Sequence, residues 1–186
     1  MRHFKTWLAV SLCAAFAIQT ALGQTVKPEA SKVFDKTLSS TEREFVSLVE
    51  AMPADKFSFA PTAGKFDGVR TFGQQAMHAA YVLNEVSAAM LGEKAPLTGP
   101  HENGPENIAG KDQIVRYVKE AFAHAHKAVA QLTNATLMQE TADPFDPKSK
   151  RTRVDSAGIL TWHTFDHYGQ MVEYARMNGI VPPASQ

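Results

Sequence analysis

"WHTFDHYGQMVEYARMNGIVPP", residues 162–183, sets His163 and His167 four positions apart on a stretch that closes with Asn178, Gly179 and two prolines. Residues four apart share one face of an α-helix, with Cβ atoms about 5–6 Å from each other. A glycine followed by prolines is how such a helix is stopped. The stretch therefore reads as the last helix of a helical protein, with two imidazoles on one face. Either they fill polar niches at the edge of a core, or they begin a metal site that takes a third ligand from elsewhere.

The preceding punctuation divides the chain into three more apolar-periodic segments, and strand patterns are scarce. A first helix is expected from about Pro28 to Met52, burying Val33, Leu38, Phe45, Leu48 and Val49 and stopped by Pro53. The segment "PADKFSFAPTAGKFDGVR", residues 53–70, reads as an ordered loop that packs Phe57, Phe59 and Phe66 over the core. A second helix from about Thr71 to Leu91 repeats Phe72, Gln75, Ala79, Val82, Val86 and Met90 at heptad-like spacing. A polar link leads to a third helix, about Lys111 to Leu132, with Ile114, Val118, Ala121, Ala125, Ala128 and Leu132 on its apolar stripe. After the two-proline loop "TADPFDPKSKRTR", residues 141–153, the fourth helix is expected from about Asp155 to Met177. Four amphipathic helices joined by short and long connections predict an all-α, four-helix-bundle domain with long connecting loops.

The 186 residues, 44% of them hydrophobic, suffice for one globular domain with a real core. The first 24, "MRHFKTWLAVSLCAAFAIQTALGQ", place Arg2 and Lys5 before an apolar run from Trp7 to Ile18 and then Ala21, Leu22 and Gly23. That order is a cleavable secretory signal, so residues 1–23 are expected to be removed and residues 24–186 to form the domain, in the periplasm or outside the cell. The apolar run is shorter than the roughly 20 residues a spanning helix needs, so no membrane span is expected after cleavage. Cleavage takes away Cys13, the single cysteine, and with it every disulfide, thiolate nucleophile and cysteine ligand. It also leaves 17 Lys+Arg against 19 Asp+Glu, a formal charge of −2, with no clustered basic excess of the kind nucleic acid requires.

Six histidines remain: His78, His101, His124, His126, His163 and His167. The best third partner for the helix-four pair is His78, which neighbours the core positions Gln75 and Val82 on helix two and so lies at the edge of the buried stripe. His124 and His126, two apart, point in different directions and cannot chelate together; hydrogen-bonded or solvated side chains are expected there. His101 sits in a loop among Pro, Asn and Gly. Asp166, Gln170 and Tyr174 share or flank the His163/His167 face and are suited either to orient imidazole N–H groups or to ordinary helix-surface hydrogen bonding.

The stretches "TFGQQAMHAAYV" (71–82), "GPENIAGKDQIVRYVKEAF" (104–122) and above all "WHTFDHYGQMVEYARMNGIVPPAS" (162–185) resemble the DinB superfamily over nearly the whole of residues 24–186. That resemblance implies a four-helix bundle with a divalent metal, zinc or nickel, on His78, His163 and His167, and coordination positions left to water or a small-molecule substrate. An open site of that kind suits a metal-dependent hydrolase, and the resemblance also implies a transferase that loads a low-molecular-weight thiol onto a substrate. Such thiols are chiefly cytosolic, so the export signal weighs against thiol transfer and favours hydrolysis or a non-enzymatic role. A non-enzymatic protein in which the ion staples helix two to helix four is the third reading, and a homodimer is left open. Asp166 and Glu173 are the acidic residues nearest the pair in sequence; neither is assigned as a general base.

Overall fold

Three of the four helices begin where a side chain satisfies a free backbone group. A computed structural model of the chain describes residues 29–62, 68–96 and 102–186. Helix α1, Ala30–Ala51, starts where the Asn134 side chain accepts from the Ala30 amide at 3.0 Å and ends just before Pro53. Helix α2, Phe72–Leu91, opens with a capping box in which Thr71 and Gln74 satisfy each other's amides, and it closes on Gly92 at φ 69°. Helix α3, Lys111–Val129, follows Gly110. Helix α4, Arg153–Met177, is capped by the Thr152 hydroxyl, which accepts from the Asp155 amide at 3.3 Å. At its far end the Ile180 amide returns to the Ala175 carbonyl across Gly179, before the two prolines.

Helix α2 packs against α3 on one side and α4 on the other, and α1 closes the ring by packing on α3 and α4. The four-helix bundle is thus all-α in its core, as the periodicity predicts. Phe45 of α1 and Phe122 of α3 meet with ring centroids 6.0 Å apart, and Leu38, Leu83, Met90, Leu160 and Met171 are buried around them. Each fully buried side chain of this size contributes roughly 1.5–3 kcal/mol. Every apolar position expected on α2 and α3 is buried. The loop before α2 behaves as expected too: Phe57 lies edge-on to Phe72 at 5.4 Å and Phe59 to Tyr174 at 5.7 Å, and the amides of Phe72 and Gly73 donate to the carbonyls of Phe59 and Phe57. Phe66, His101 and residues 1–28, including the whole expected signal, lie outside the described residues.

Two expectations change. Val33 is 49% exposed, because the buried stripe of α1 runs through Ala30, Phe34 and Leu38 and leaves position 33 about 100° around the helix from it. The segment after α3 is not a plain loop: Glu140–Ala142 (β1) and Lys150–Thr152 (β2) pair antiparallel, Glu140 opposite Thr152. Three-residue strands carry too little alternation to be read from sequence. Among the described residues, no helix is long and apolar enough to cross a membrane.

Candidate metal centre

Helices α2 and α4 bring His78, His163 and His167 together. One side-chain nitrogen from each lies within 4.8 Å of the other two, which puts all three within reach of one shared ion. Their rings pack at centroid distances of 4.5 Å (His163 and His167), 4.7 Å (His78 and His167) and 5.2 Å (His78 and His163). His167 is buried; the other two are half-buried.

The hydrogen bonds around the rings fix which nitrogens are free. Gln75, one turn before His78 on α2 and itself buried, donates its amide N–H to Gln170 Oε1 at 2.8 Å, which turns its oxygen toward His167. His167 Nδ1–H donates to that oxygen at 2.6 Å, so the lone pair of His167 Nε2 is left pointing at His163. His78 Nδ1–H donates to the backbone carbonyl of Glu102, leaving its Nε2 without a proton as well. His163 Nε2 stands 3.3 Å from His167 Nε2, and His163 Nδ1 is buried without a hydrogen-bond partner among the described residues.

This arrangement fits a divalent ion. Two nitrogens about 2.0–2.1 Å from a tetrahedral centre are about 3.3–3.4 Å apart, the separation of the two Nε2 atoms. The imidazoles are also held neutral, as ligands must be. Burial, followed by the charge on His78, lowers His163 to about 4; burial, followed by His163 and His78, lowers His167 to about 3, both from 6.5. Burial lowers His78 as well, against the opposing pull of its bond to Glu102.

The Glu102 carbonyl is itself held in place. Arg70 Nε donates to Asn103 Oδ1 at 2.7 Å, its Nη2 lies 3.5 Å from the Glu102 carboxylate, and the Tyr174 hydroxyl donates to the Arg70 carbonyl at 3.1 Å. Two residues on, Gly104 at φ 85° lies so close to α2 that a Cβ there would stand 2.3 Å from the Met77 Cβ. The segment 102–104 is pressed against the helix turn that carries His78.

Beside the triad opens a cleft of about 290 Å³, lined by His78 and His163 and floored by Val82 and Ile159. Tyr81, Phe145 and Trp162 form its aromatic walls, and Glu102 and Arg151 its charged edges. The hairpin thus contributes directly to the site, through Phe145 and Arg151.

The expected supporting residues sit close by, in different roles. Gln170 is linked to His167 through Gln75, and Asp166 accepts from Gln170 at 3.2 Å; Asp166 acts on His163 through its charge, which opposes the lowering of that pKa. Tyr174 serves Arg70, and Glu173 is paired with Arg176 at 2.7 Å. Gln75 read as a core position; its place three residues before His78, on the same face, was the available signal of its role. His124 and His126 stand apart from the triad. His124 bonds Asn84 and Glu93, and His126 lies between Asp35 and Glu42 at 2.6 and 3.1 Å, pinning α3 to α2 and α1.

A bundle of four helices with three converging imidazoles beside an open cleft defines a class of protein: a helical scaffold with a His3 face that could hold a metal. A family model described as the DinB superfamily matches residues 37–171, and the chain belongs to that superfamily. Among solved structures it is similar to a DinB-like protein from Bacillus cereus, at 16% identity and a TM-score of 0.64 over 81% of this chain and 93% of the other. At that identity the likeness bears on the fold alone. Comparison with curated proteins finds no match.

Proposed function

We propose that the protein is an exported metal-dependent hydrolase acting on a small molecule, with His78, His163 and His167 holding a divalent ion, zinc or nickel. The observation that carries the reading is the cleft of about 290 Å³ that reaches two of the three imidazoles. A site serving only to staple α2 to α4 gains nothing from access, whereas a catalytic one needs a position for water or substrate. When bound, the ion supplies Lewis-acid chemistry, lowering the pKa of water and polarising a substrate oxygen. The chain's own groups do the rest. Gln75 and the Glu102 carbonyl hold the Nδ1 protons of His167 and His78, so that both rings present Nε2. Glu102 also lines the cleft, with its carboxylate 3.5 Å from Arg70 Nη2, and Asp166 and Glu173 are engaged with Gln170 and Arg176, so no carboxylate is assigned as general base. Val82 and Ile159 keep the floor dry.

Export rests on the charged, apolar and small-residue order of residues 1–23. Intact mass of protein from the native host should begin at or near Gln24; an exported fraction that keeps Met1 removes that part of the reading. The chemistry is tested by metal analysis of untagged protein, followed by screening ester, amide and lactone hydrolysis by the metal-loaded wild type and His163→Ala. Metal at one ion per chain with turnover lost in His163→Ala supports the reading; a protein that takes up no divalent ion ends it.

A further inference from the structure

Single exposed apolar side chains are ordinary, but apolar groups gathered at a cleft mark a ligand-binding surface, and here two large ones line the same cleft. Trp162 is 59% exposed and Phe145 46% exposed, and both line the space beside His78 and His163. They come from different elements. Trp162 belongs to α4 and stands edge-on to His163 with ring centroids 5.8 Å apart. Phe145 hangs from the turn of the hairpin, and that turn is built rigidly. The Asp143 carboxylate, only 6% exposed, accepts from the Phe145 amide at 2.9 Å and pairs with Arg151 Nε at 2.8 Å, and Arg151 is also paired with Asp155 at 3.0 Å. A buried carboxylate occupied in this way holds the backbone that carries Phe145 beside the cleft.

We infer that Trp162 and Phe145 are specificity-determining jaws for a planar apolar group, so that the substrate is a small molecule with an aryl or comparable flat unsaturated body joined to the polar group that meets the ion. The inference rests on the hydrolase reading and narrows its substrate class. The cleft lies near the lower end of the roughly 300–1,000 Å³ of small-ligand sites, room for one ring and a short polar head and too little for a folded partner. The floor of Val82 and Ile159 offers no hydrogen bond, so the body of the ligand is recognised by area and by stacking on aromatic walls, which favours flat over branched groups. Arg151 already carries two carboxylates, Asp143 and Asp155, which leaves it a structural support of the hairpin and not an anion receptor.

Two metal-chelating probes separate the polar head from the body. Acetohydroxamate and benzohydroxamate share the hydroxamate that would meet the ion and differ in methyl against phenyl. Calorimetric titration into the zinc-loaded full chain should give benzohydroxamate at least about tenfold tighter binding, from the extra apolar area and ring contacts. Trp162→Ala and Phe145→Ala should each reduce that preference by about threefold or more. Zinc content, measured on the same samples, reports that the ion is still in place in both variants. Equal affinity of the two probes, or a preference that survives both substitutions, overturns the aromatic-jaw inference while leaving the metal site standing. Failure of both probes to bind zinc-loaded wild type overturns the open metal site itself, and this inference with it.

Discussion

The Gln75 side-chain oxygen accepts from His167 Nδ1 at 2.6 Å, so a core glutamine of α2 sets the ring orientation of a histidine on α4. The same amide donates to Gln170 Oε1, and Gln170 donates to Asp166, which makes a chain of three bonds from the surface of α4 to the imidazole cluster. Gln75 is 2% exposed, so both its partners lose a bond that water cannot replace freely when it is removed.

Gln75→Ala is therefore expected to act twice. Zinc affinity, measured by competition with a chelator, should fall about 10–100-fold, the usual result of removing an outer partner of a ligating histidine. Stability in denaturant should fall by about 1–3 kcal/mol from the unpaired polar groups left behind. Loss of stability with unchanged zinc affinity would show that Gln75 serves the core only.

Gly104 supplies a test of the other outer partner. With φ at 85° and a would-be Cβ 2.3 Å from Met77 Cβ, Gly104→Ala must push the 102–104 segment off α2 and draw the Glu102 carbonyl away from His78. Zinc affinity should drop together with stability. Gly92→Ala is the control: its φ is 69° and nothing lies within 4 Å of the added carbon, so it carries only the backbone strain, about 1 kcal/mol. Equal effects of the two variants on zinc affinity would separate the glycine at 104 from the site.

Much of this was legible from residue spacing. The stripes of α2 and α3 are long and regular, so their core positions followed from a period of 3.6, and the His163/His167 pair declared its shared face by its separation of four. His78 was legible, from its place beside Gln75 and Val82, as the best third partner for that pair, and the resemblance added the ligand role, since one sequence does not say which helices pack side by side. What stayed hidden depends on contacts between distant segments. Gln75 and Gln170 are 95 positions apart, Glu102 reaches His78 through a backbone carbonyl that has no sequence signature, and Phe145 joins the site only because two three-residue strands pair.

The lowered pKa values give a pH dependence of defined sign for the metal-free protein. The unfolded chain takes up protons at these histidines near pH 6.5, while the folded chain keeps His163 neutral to about 4 and His167 to about 3. Between those limits the unfolded state binds more protons, so stability falls as pH falls, and above pH 6.5 these two groups contribute no slope. The chelated wild type should lose more melting temperature than chelated His167→Ala between about pH 7.5 and about pH 4.5. Identical losses in the two proteins would mean that burial of His167 does not resist protonation.

Removing the metal should weaken the protein without unfolding it. The fully buried side chains Phe45, Phe72, Phe122, Leu83 and Leu160 form a continuous core without help from any of the three imidazoles, and both α2 and α4 carry their own N-terminal caps. An ion that binds only the folded state still adds stability by mass action, about 2.7 kcal/mol when its free concentration is a hundred times Kd. For a chain of this size, that corresponds to a downward shift of about 5–11 °C on chelation, with a single cooperative transition retained. His163→Ala should melt close to the chelated wild type and show no further response to chelator, because the variant has lost the site and kept the core. Thermal melting followed by circular dichroism, with metal content measured on the same samples, reads all four conditions. A chelated protein that loses its cooperative transition altogether would make the ion a structural staple, and the open-site reading would fall with it.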